Sequence, residues 1–247
     1  MSVLISFTNV KKSFNYFADR PDSIKLILVR MLKGHFNFGS KRRIEVLNNV
    51  TFQIGKGEFV GIMGKNGVGK STILKLISSI YMPDQGQIQV KGRVIPLLEL
   101  GAGFAPELSG HDNIFLNASI LGFTKTEITK QLSTIIDFSE LGEKIQMAVK
   151  NYSSGMLMRL GFSIASQMNA DIILLDEVLA VGDAHFQDKC LHRVRELHNQ
   201  GKTIILVSHF PEQVEQFCDR CIVLDPSGVI HDGDVREGTR IYLEINK

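Results

Sequence analysis

A chain of 247 residues, 44% of them hydrophobic, is long enough to bury a sizeable core and sits near the upper limit of one domain. Its net charge of +2 is dispersed, with no concentrated basic face, so no nucleic-acid partner is expected. No apolar run approaches the ~18 residues of a membrane-crossing helix, no secretory leader is recognisable, and three cysteines are an odd number for a disulfide framework, so reduced thiols in a cytosolic protein are expected.

In chain order, residues 3–10 and 44–54 read as two antiparallel strands. Between them lies an insert, about 15–43, in which Pro21-Asp22-Ser23 looks like a helix start and Gly34 like a stop. Ile24, Ile27, Leu28, Met31 and Leu32 recur there at helical spacing among Lys25, Arg30 and Lys33. Such a helix either packs on its own domain or is offered to a partner, and its pattern alone leaves both readings open. Gly55-Lys56-Gly57-Glu58 then turns the chain into an apolar strand, Phe59-Val60-Gly61-Ile62-Met63.

That strand runs into Gly64-Lys65-Asn66-Gly67-Val68-Gly69-Lys70-Ser71-Thr72, followed by the apolar helix Ile73-Leu74-Lys75-Leu76-Ile77. The glycines free the backbone so that several N–H groups converge on phosphate oxygens, and the helix start adds the positive end of its dipole. Lys70 is placed to reach the β- and γ-phosphates and Ser71 to ligate Mg²⁺. The stretch predicts binding of a nucleoside triphosphate.

Further on, Pro83-Asp84-Gln85-Gly86 makes a turn, and residues 87–90 and 93–97 read as a short hairpin broken at Lys91-Gly92. Residues from about 101 to 168 are largely helical, with segments near 109–122, 125–137 and 155–168, and read as a helical subdomain inserted into an α/β core. Tyr152-Ser153-Ser154-Gly155-Met156 opens the last of these, with Ser153 as N-cap and Gly155 open to close approach. From Asp171 the order becomes strand 172–175, helix 184–199, strand 203–207, helix 211–217, then strands 220–224 and 229–231 around a turn, and a final helix. Cys218-Asp219-Arg220-Cys221 has redox-type spacing but falls between a helix end and a strand, which favours plain core thiols.

Two more positions carry chemistry. The buried strand Ile172-Ile173-Leu174-Leu175 ends in Asp176 and Glu177, which suits Asp176 to hold Mg²⁺ and Glu177 to polarise an attacking water. His209 follows strand 203–207, which would lie beside the Asp176 strand in a parallel sheet and end in the same crevice.

The phosphate loop, the Ser153–Gly155 helix start, Asp176-Glu177 and His209 recur in this order in the ATP-binding cassette family, which this sequence resembles over essentially its whole length. The resemblance implies a phosphate-loop α/β nucleotide-binding domain with an antiparallel β subdomain and a helical subdomain. It implies a head-to-tail homodimer sandwiching two ATP molecules, each phosphate loop facing the partner copy's Ser153-Ser154-Gly155, with Asp183 at the contact between copies. Phe14 matches the position of the base-stacking aromatic, with Phe38 as the alternative.

Departures from the general family pattern point to a subgroup. Ser153-Ser154-Gly155-Met156 replaces Ser-Gly-Gly-Gln, Glu99 stands where a Mg²⁺-ligating glutamine is usual, and Val178-Leu179-Ala180-Val181-Gly182-Asp183 is longer than Ser-Ala-Leu-Asp. These stretches and the N-terminal insert are similar to ATPases of O-antigen and teichoic-acid exporters. That resemblance implies a peripheral ATPase on the cytoplasmic face of the inner membrane, paired with a two-copy transmembrane permease, exporting lipid-linked polysaccharide. No C-terminal carbohydrate-binding domain is expected in a chain ending at Lys247. The alternatives are the same engine driving another solute, and a soluble cassette ATPase.

Overall fold

The computed structural model describes residues 2–17, 41–97, 103–176 and 183–246, with residues 16, 17, 41 and 42 described by their backbone alone. Strand β1 (Val3–Phe17) pairs antiparallel with β2 (Lys41–Gly55) on one side and with β4 (Gln85–Val90) on the other, giving a three-stranded sheet. In β2 the buried Val50, Phe52 and Ile54 alternate with the exposed Asn49, Thr51 and Gln53, as one-sided burial requires. The β1–β2 ladder continues through Asn15↔Arg43 to Phe17↔Lys41, so strand pairing reaches into the ends of the insert. The helix expected at 21–34 lies outside the described residues.

The second sheet has six strands in the order β5 (Val94–Leu97), β6 (Ile172–Asp176), β7 (Thr203–Val207), β3 (Phe59–Gly64), β8 (Arg220–Asp225) and β9 (Gly228–Gly233). All its pairs are parallel except β8–β9. Its central strands are continuous apolar runs because both faces are covered. Toward one face Val60, Ile62, Ile172, Leu174, Ile205 and Val207 pack with the antiparallel sheet and with α1 (Lys70–Ile77). Toward the other, Phe59, Met63, Ile173, Leu175, Ile204 and Leu206 pack with the helices.

The expected hairpin at 87–97 is not formed: β4 and β5 belong to different sheets. The Lys91 N–H still extends the β1 ladder by donating to Leu4 O, but Gly92 turns at φ 106° and the Arg93 N–H donates to Asp171 Oδ2. The chain thus crosses to the larger sheet, where Val94-Ile95-Pro96-Leu97 serves as an edge strand, a position that tolerates proline.

Three helices form the layer beyond β5: α2 (Gly110–Ile120), α3 (Lys125–Ser139) and α4 (Ser154–Gln167). Each starts at a residue whose hydroxyl accepts a backbone N–H, namely Ser109, Thr124 and Ser153, and Glu127 completes a capping box with Thr124. Helices α5 (Ala184–Asn199), α6 (Pro211–Phe217) and α7 (Val235–Ile245) complete the α/β order read from the sequence. Among the described residues no helix is long and apolar enough to cross a membrane.

Candidate active site

At the C-terminal ends of β3, β6 and β7 lies a cavity of about 400 Å³, lined by Val46, Asn66, Gly67, Gly69, Lys70, Ser71, Thr72, Asp176, Val207 and His209. The loop 64–69 shapes it. Gly64 has φ 153°, and a Cβ there would lie 2.5 Å from Leu224 O on the neighbouring strand. Gly69 has φ 105°, and a Cβ there would meet Leu47 Cδ2 at 2.5 Å, because the start of α1 is pressed under β2. Gly67 (φ 82°) faces open space, so its need for glycine is torsional. Val68 is buried beneath the loop, while Lys65 and Asn66 are exposed on it.

Helix α1 begins without a side-chain cap, and its first residues, Lys70, Ser71 and Thr72, line the cavity, where the positive end of the helix dipole favours an anion. Lys70 is buried, and its Nζ donates to Gly64 O at 2.8 Å and Lys65 O at 3.1 Å. Its ammonium is therefore held within the loop, on carbonyls that a phosphate oxygen can replace.

Asp176 is half-buried at the end of β6 and pairs in register with Val207 of β7. Next in the chain after Val207, buried Ser208 accepts from the Phe210 N–H at 3.0 Å and donates to Gln213 Oε1 at 2.9 Å, turning the chain so that His209 lines the cavity. The adjacency of these strands expected from the sequence is the one observed. Ser71 and Asp176 bring a hydroxyl and a single carboxylate to one cavity. Such hard oxygen donors suit Mg²⁺, which keeps most of its shell for water and phosphate.

The other expected residues lie elsewhere. Phe14 packs edge-on against Tyr81 with ring centroids 5.2 Å apart and Lys12 Nζ 5.4 Å from its own ring, and it does not line the cavity; Val46 does. Ser153 accepts from the Met156 N–H at 3.2 Å, Ser153 and Ser154 are exposed, and a Cβ on Gly155 would meet only Ser153 Oγ, at 3.9 Å. This open helix start is separate from the cavity of its own chain. Glu177, Glu99 and Phe38 lie outside the described residues.

Asp183 caps α5 by accepting the Phe186 N–H at 3.0 Å and pairs with Arg159 at 2.6 Å. That backbone bond first, then Arg159, holds its carboxyl below the usual range. Arg159 also pairs with Glu140 at 2.7 Å, and Lys189 meets Glu140 at 2.7 Å, joining α3, α4 and α5. Sequence reasoning missed this network, and it missed Tyr242, whose hydroxyl lies 3.3 Å from His209 Nδ1. No local pattern marks partners so far apart in the chain.

The family model described as ABC transporter matches residues 47–180. An O-antigen export system ATP-binding protein, RfbB, of Klebsiella pneumoniae is 43% identical over 244 residues, covering 99% of each chain. A teichoic acids export ATP-binding protein, TagH, of Bacillus anthracis is 37% identical over 247 residues, which are 100% of this chain and 44% of that one. Among solved structures, an ATP-binding subunit of an ABC transporter superposes with a TM-score of 0.76 at 20% identity, covering 99% of this chain and 100% of the other. A dimeric, post-hydrolysis ATP-binding cassette bound to ADP and Pi superposes with a TM-score of 0.71 at 22% identity, covering 94% and 99%.

Proposed function

Because this chain belongs to the ABC transporter ATP-binding family, we propose that it is the ATP-hydrolysing subunit of a transporter that exports a lipid-linked polysaccharide across the cytoplasmic membrane. The observation that carries the catalytic half is the single cavity gathering Lys70, Ser71, Asp176 and His209 at the ends of three adjacent parallel strands. The cargo half is supported by relatives named for O-antigen and teichoic-acid export that align over nearly the whole chain. On this reading it acts peripherally at the cytoplasmic face, against a permease of two copies.

The chemistry follows from the residues. The N–H groups of residues 64–72 cradle the phosphates, and Lys70 exchanges its contacts with Gly64 O and Lys65 O for the β- and γ-phosphate oxygens. A Mg²⁺ held by Ser71 and Asp176, with Glu99 as a further donor, would neutralise charge developing on the phosphates. Glu177 orients the water for in-line attack, and His209 contacts that water and the γ-phosphate. Ser153, Ser154 and Gly155 of a second copy close over the γ-phosphate, with Asp183 at the contact between copies. Phe14 stacks on the adenine once the base displaces its edge-on contact with Tyr81.

Replacing Glu177 with Gln tests both halves. ATP turnover is expected to fall by about a hundredfold or more with ATP binding retained. In the source cell, surface glycan is lost while lipid-linked glycan accumulates inside. Intact turnover refutes the assignment of the base. Normal surface glycan in the confirmed mutant, with no redundant exporter present, refutes the cargo.

A further inference from the structure

A second cavity, of about 460 Å³, opens where the last turns of α3 and α4 meet the middle of α5, and it shares no lining residue with the nucleotide cavity. Its volume is in the range of small-molecule sites. Gln167 lines it from the last position of α4, about 20 Å by helical rise from Ser154 at the other end. The residue is sunk to 8% exposure, yet its side chain makes one long hydrogen bond among the described residues, Nε2 to Ser166 Oγ at 3.5 Å. The carboxamide oxygen accepts from no described residue and stays open to the cavity. An amide buried this far normally has its acceptor filled, so that oxygen marks where a ligand's donor belongs.

The surrounding groups say what kind of ligand. Phe138 supplies an apolar wall, held by stacking on Phe162 at 6.0 Å between centroids and by an edge contact with Phe186 at 5.8 Å. Lys189 and Arg193 line the same cavity as Asp137 and Glu196, so its charges cancel. Lys189 Nζ is committed to Phe138 O at 3.0 Å and Glu140 at 2.7 Å. Arg193 donates from Nε to Ser166 O at 3.1 Å and from one terminal nitrogen to Glu196 at 3.0 Å, which leaves further N–H groups of its fork. An anion would be repelled by Asp137 and a cation by Arg193, and either would lose hydration for a charge only half compensated. Hydroxyls both donate and accept, which suits an amide, a carboxylate and a guanidinium in one place, and a C–H surface suits Phe138. We propose that this cavity binds a sugar residue, with one hydroxyl donating to Gln167 Oε1 and others meeting Asp137 and Arg193. The inference goes beyond the transport reading and does not depend on it.

The probes are methyl α-D-mannoside, methyl β-D-galactoside and methyl N-acetyl-β-D-glucosaminide, titrated at about pH 8, above the ordinary histidine range, into the whole protein with ¹⁵N-labelled glutamine side chains. Gln167→Met identifies the Gln167 carboxamide signal. At least one glycoside is expected to shift it saturably, with a dissociation constant of about 1–10 mM. Asp137→Ala, an exposed change at the rim, should weaken that binding about three- to tenfold and leave ATP turnover unchanged. Saturation transfer from protein to probe reads the same loss without any assignment. No glycoside binding up to about 100 mM overturns the proposal, as does undiminished binding in Asp137→Ala. Inorganic phosphate shifting the Gln167 signal at lower concentration than every glycoside overturns it too, because the charge-balance argument then fails. Where a glycoside binds, an oligosaccharide released from the source cell's surface glycan that binds more tightly assigns the sugar to that glycan, and one that binds no more tightly assigns it to a free sugar. None of these readouts measures export, so their failure leaves the transport reading standing.

Discussion

Arg159 is the side chain outside the cavity whose removal has the most legible cost. Its guanidinium joins Glu140 on one side at 2.7 Å and Asp183 on the other at 2.6 Å, and it lies 4.6 Å from the centroid of the Phe186 ring. Arg159→Met keeps an unbranched stem, so what is lost is charge and fork rather than packing. The Asp183 arm ends on an exposed carboxylate and is counted as nothing. The Glu140 arm joins side chains 18% and 32% exposed, where a charge-assisted bond contributes about 1–2 kcal/mol. The ring contact adds about 0.5–1 kcal/mol. The expected loss is therefore about 2 kcal/mol, or a fall of roughly 4–8 °C in Tm for a chain of this size.

The comparison is Lys150→Met, whose pair with Glu107 is as short, 2.6 Å, but 51% and 76% exposed. That variant is expected to stay within about 0.5 kcal/mol of the parent. Urea unfolding of the three proteins reads both losses as shifts in midpoint at constant slope. If Arg159→Met costs no more than Lys150→Met, the argument that burial separates the two pairs is refuted.

Gly64→Ala drives a Cβ to 2.5 Å from a backbone oxygen of β8 and should cost about 2–4 kcal/mol with loss of ATP binding, whereas Gly67→Ala, facing open space, costs only the torsional ~1–2 kcal/mol; calorimetry of nucleotide binding together with urea titration checks both. Cys190, Cys218 and Cys221 are buried thiols, and burial pushes Cys190 and Cys221 up to about 12 and raises Cys218, so a thiol reagent at about pH 8 should modify none in the folded protein and all three in urea. The Thr124 N–H, then Arg93 and the Thr124 hydroxyl, hold the Glu127 carboxyl down to about 2 from its ordinary 4.5. Its stabilising contribution is complete above 4.5 and is lost as pH falls from there toward 2, so the urea midpoint of Glu127→Gln should drop less steeply over that window than the parent's.

What could be read from the sequence was what chemistry confines to neighbouring residues. A loop that wraps a phosphate needs its glycines, lysine and serine at fixed short intervals, and the strand before it and helix after it are built where the pattern places them. Ser153 was legible as a cap because capping acts over three residues. The misreading of 87–97 as a hairpin has the opposite cause. Lys91-Gly92 carries a turn signal, but the partner each flanking strand takes depends on Leu4 and Asp171, about 80 residues away from one or the other. Asp84 was read only as a turn residue. In the fold its carboxylate holds Lys12, the Ser13 N–H and Arg43, fixing the outer half of the β1–β2 hairpin. Tyr242 and Glu140 escaped for the same reason, since one reads locally as an ordinary helix residue and the other as a residue just past a helix end, and each acquires its contacts from a segment folded against it.

The separation of the cavity from the start of α4 bears on how ATP can do work in the proposed assembly. A ligand shifts a conformational equilibrium only by the contacts it makes in one state and not in the other. On that proposal the loop 64–72 and Lys70 would hold the phosphates within a single chain, so their contacts would be the same whether two copies are apart or together and would contribute binding without closure. The exposed Ser154 and the open backbone at Gly155 would, on the same proposal, meet a phosphate only when a second copy is present. Closure of the proposed pair would therefore draw on those contacts and on the matching ones from the other copy. Cleaving the bond to the γ-phosphate would then detach the group they hold from the nucleotide on the loop. In the proposed assembly hydrolysis would thus remove the differential term while leaving the common one, and the pair would reopen without requiring that ADP leave first.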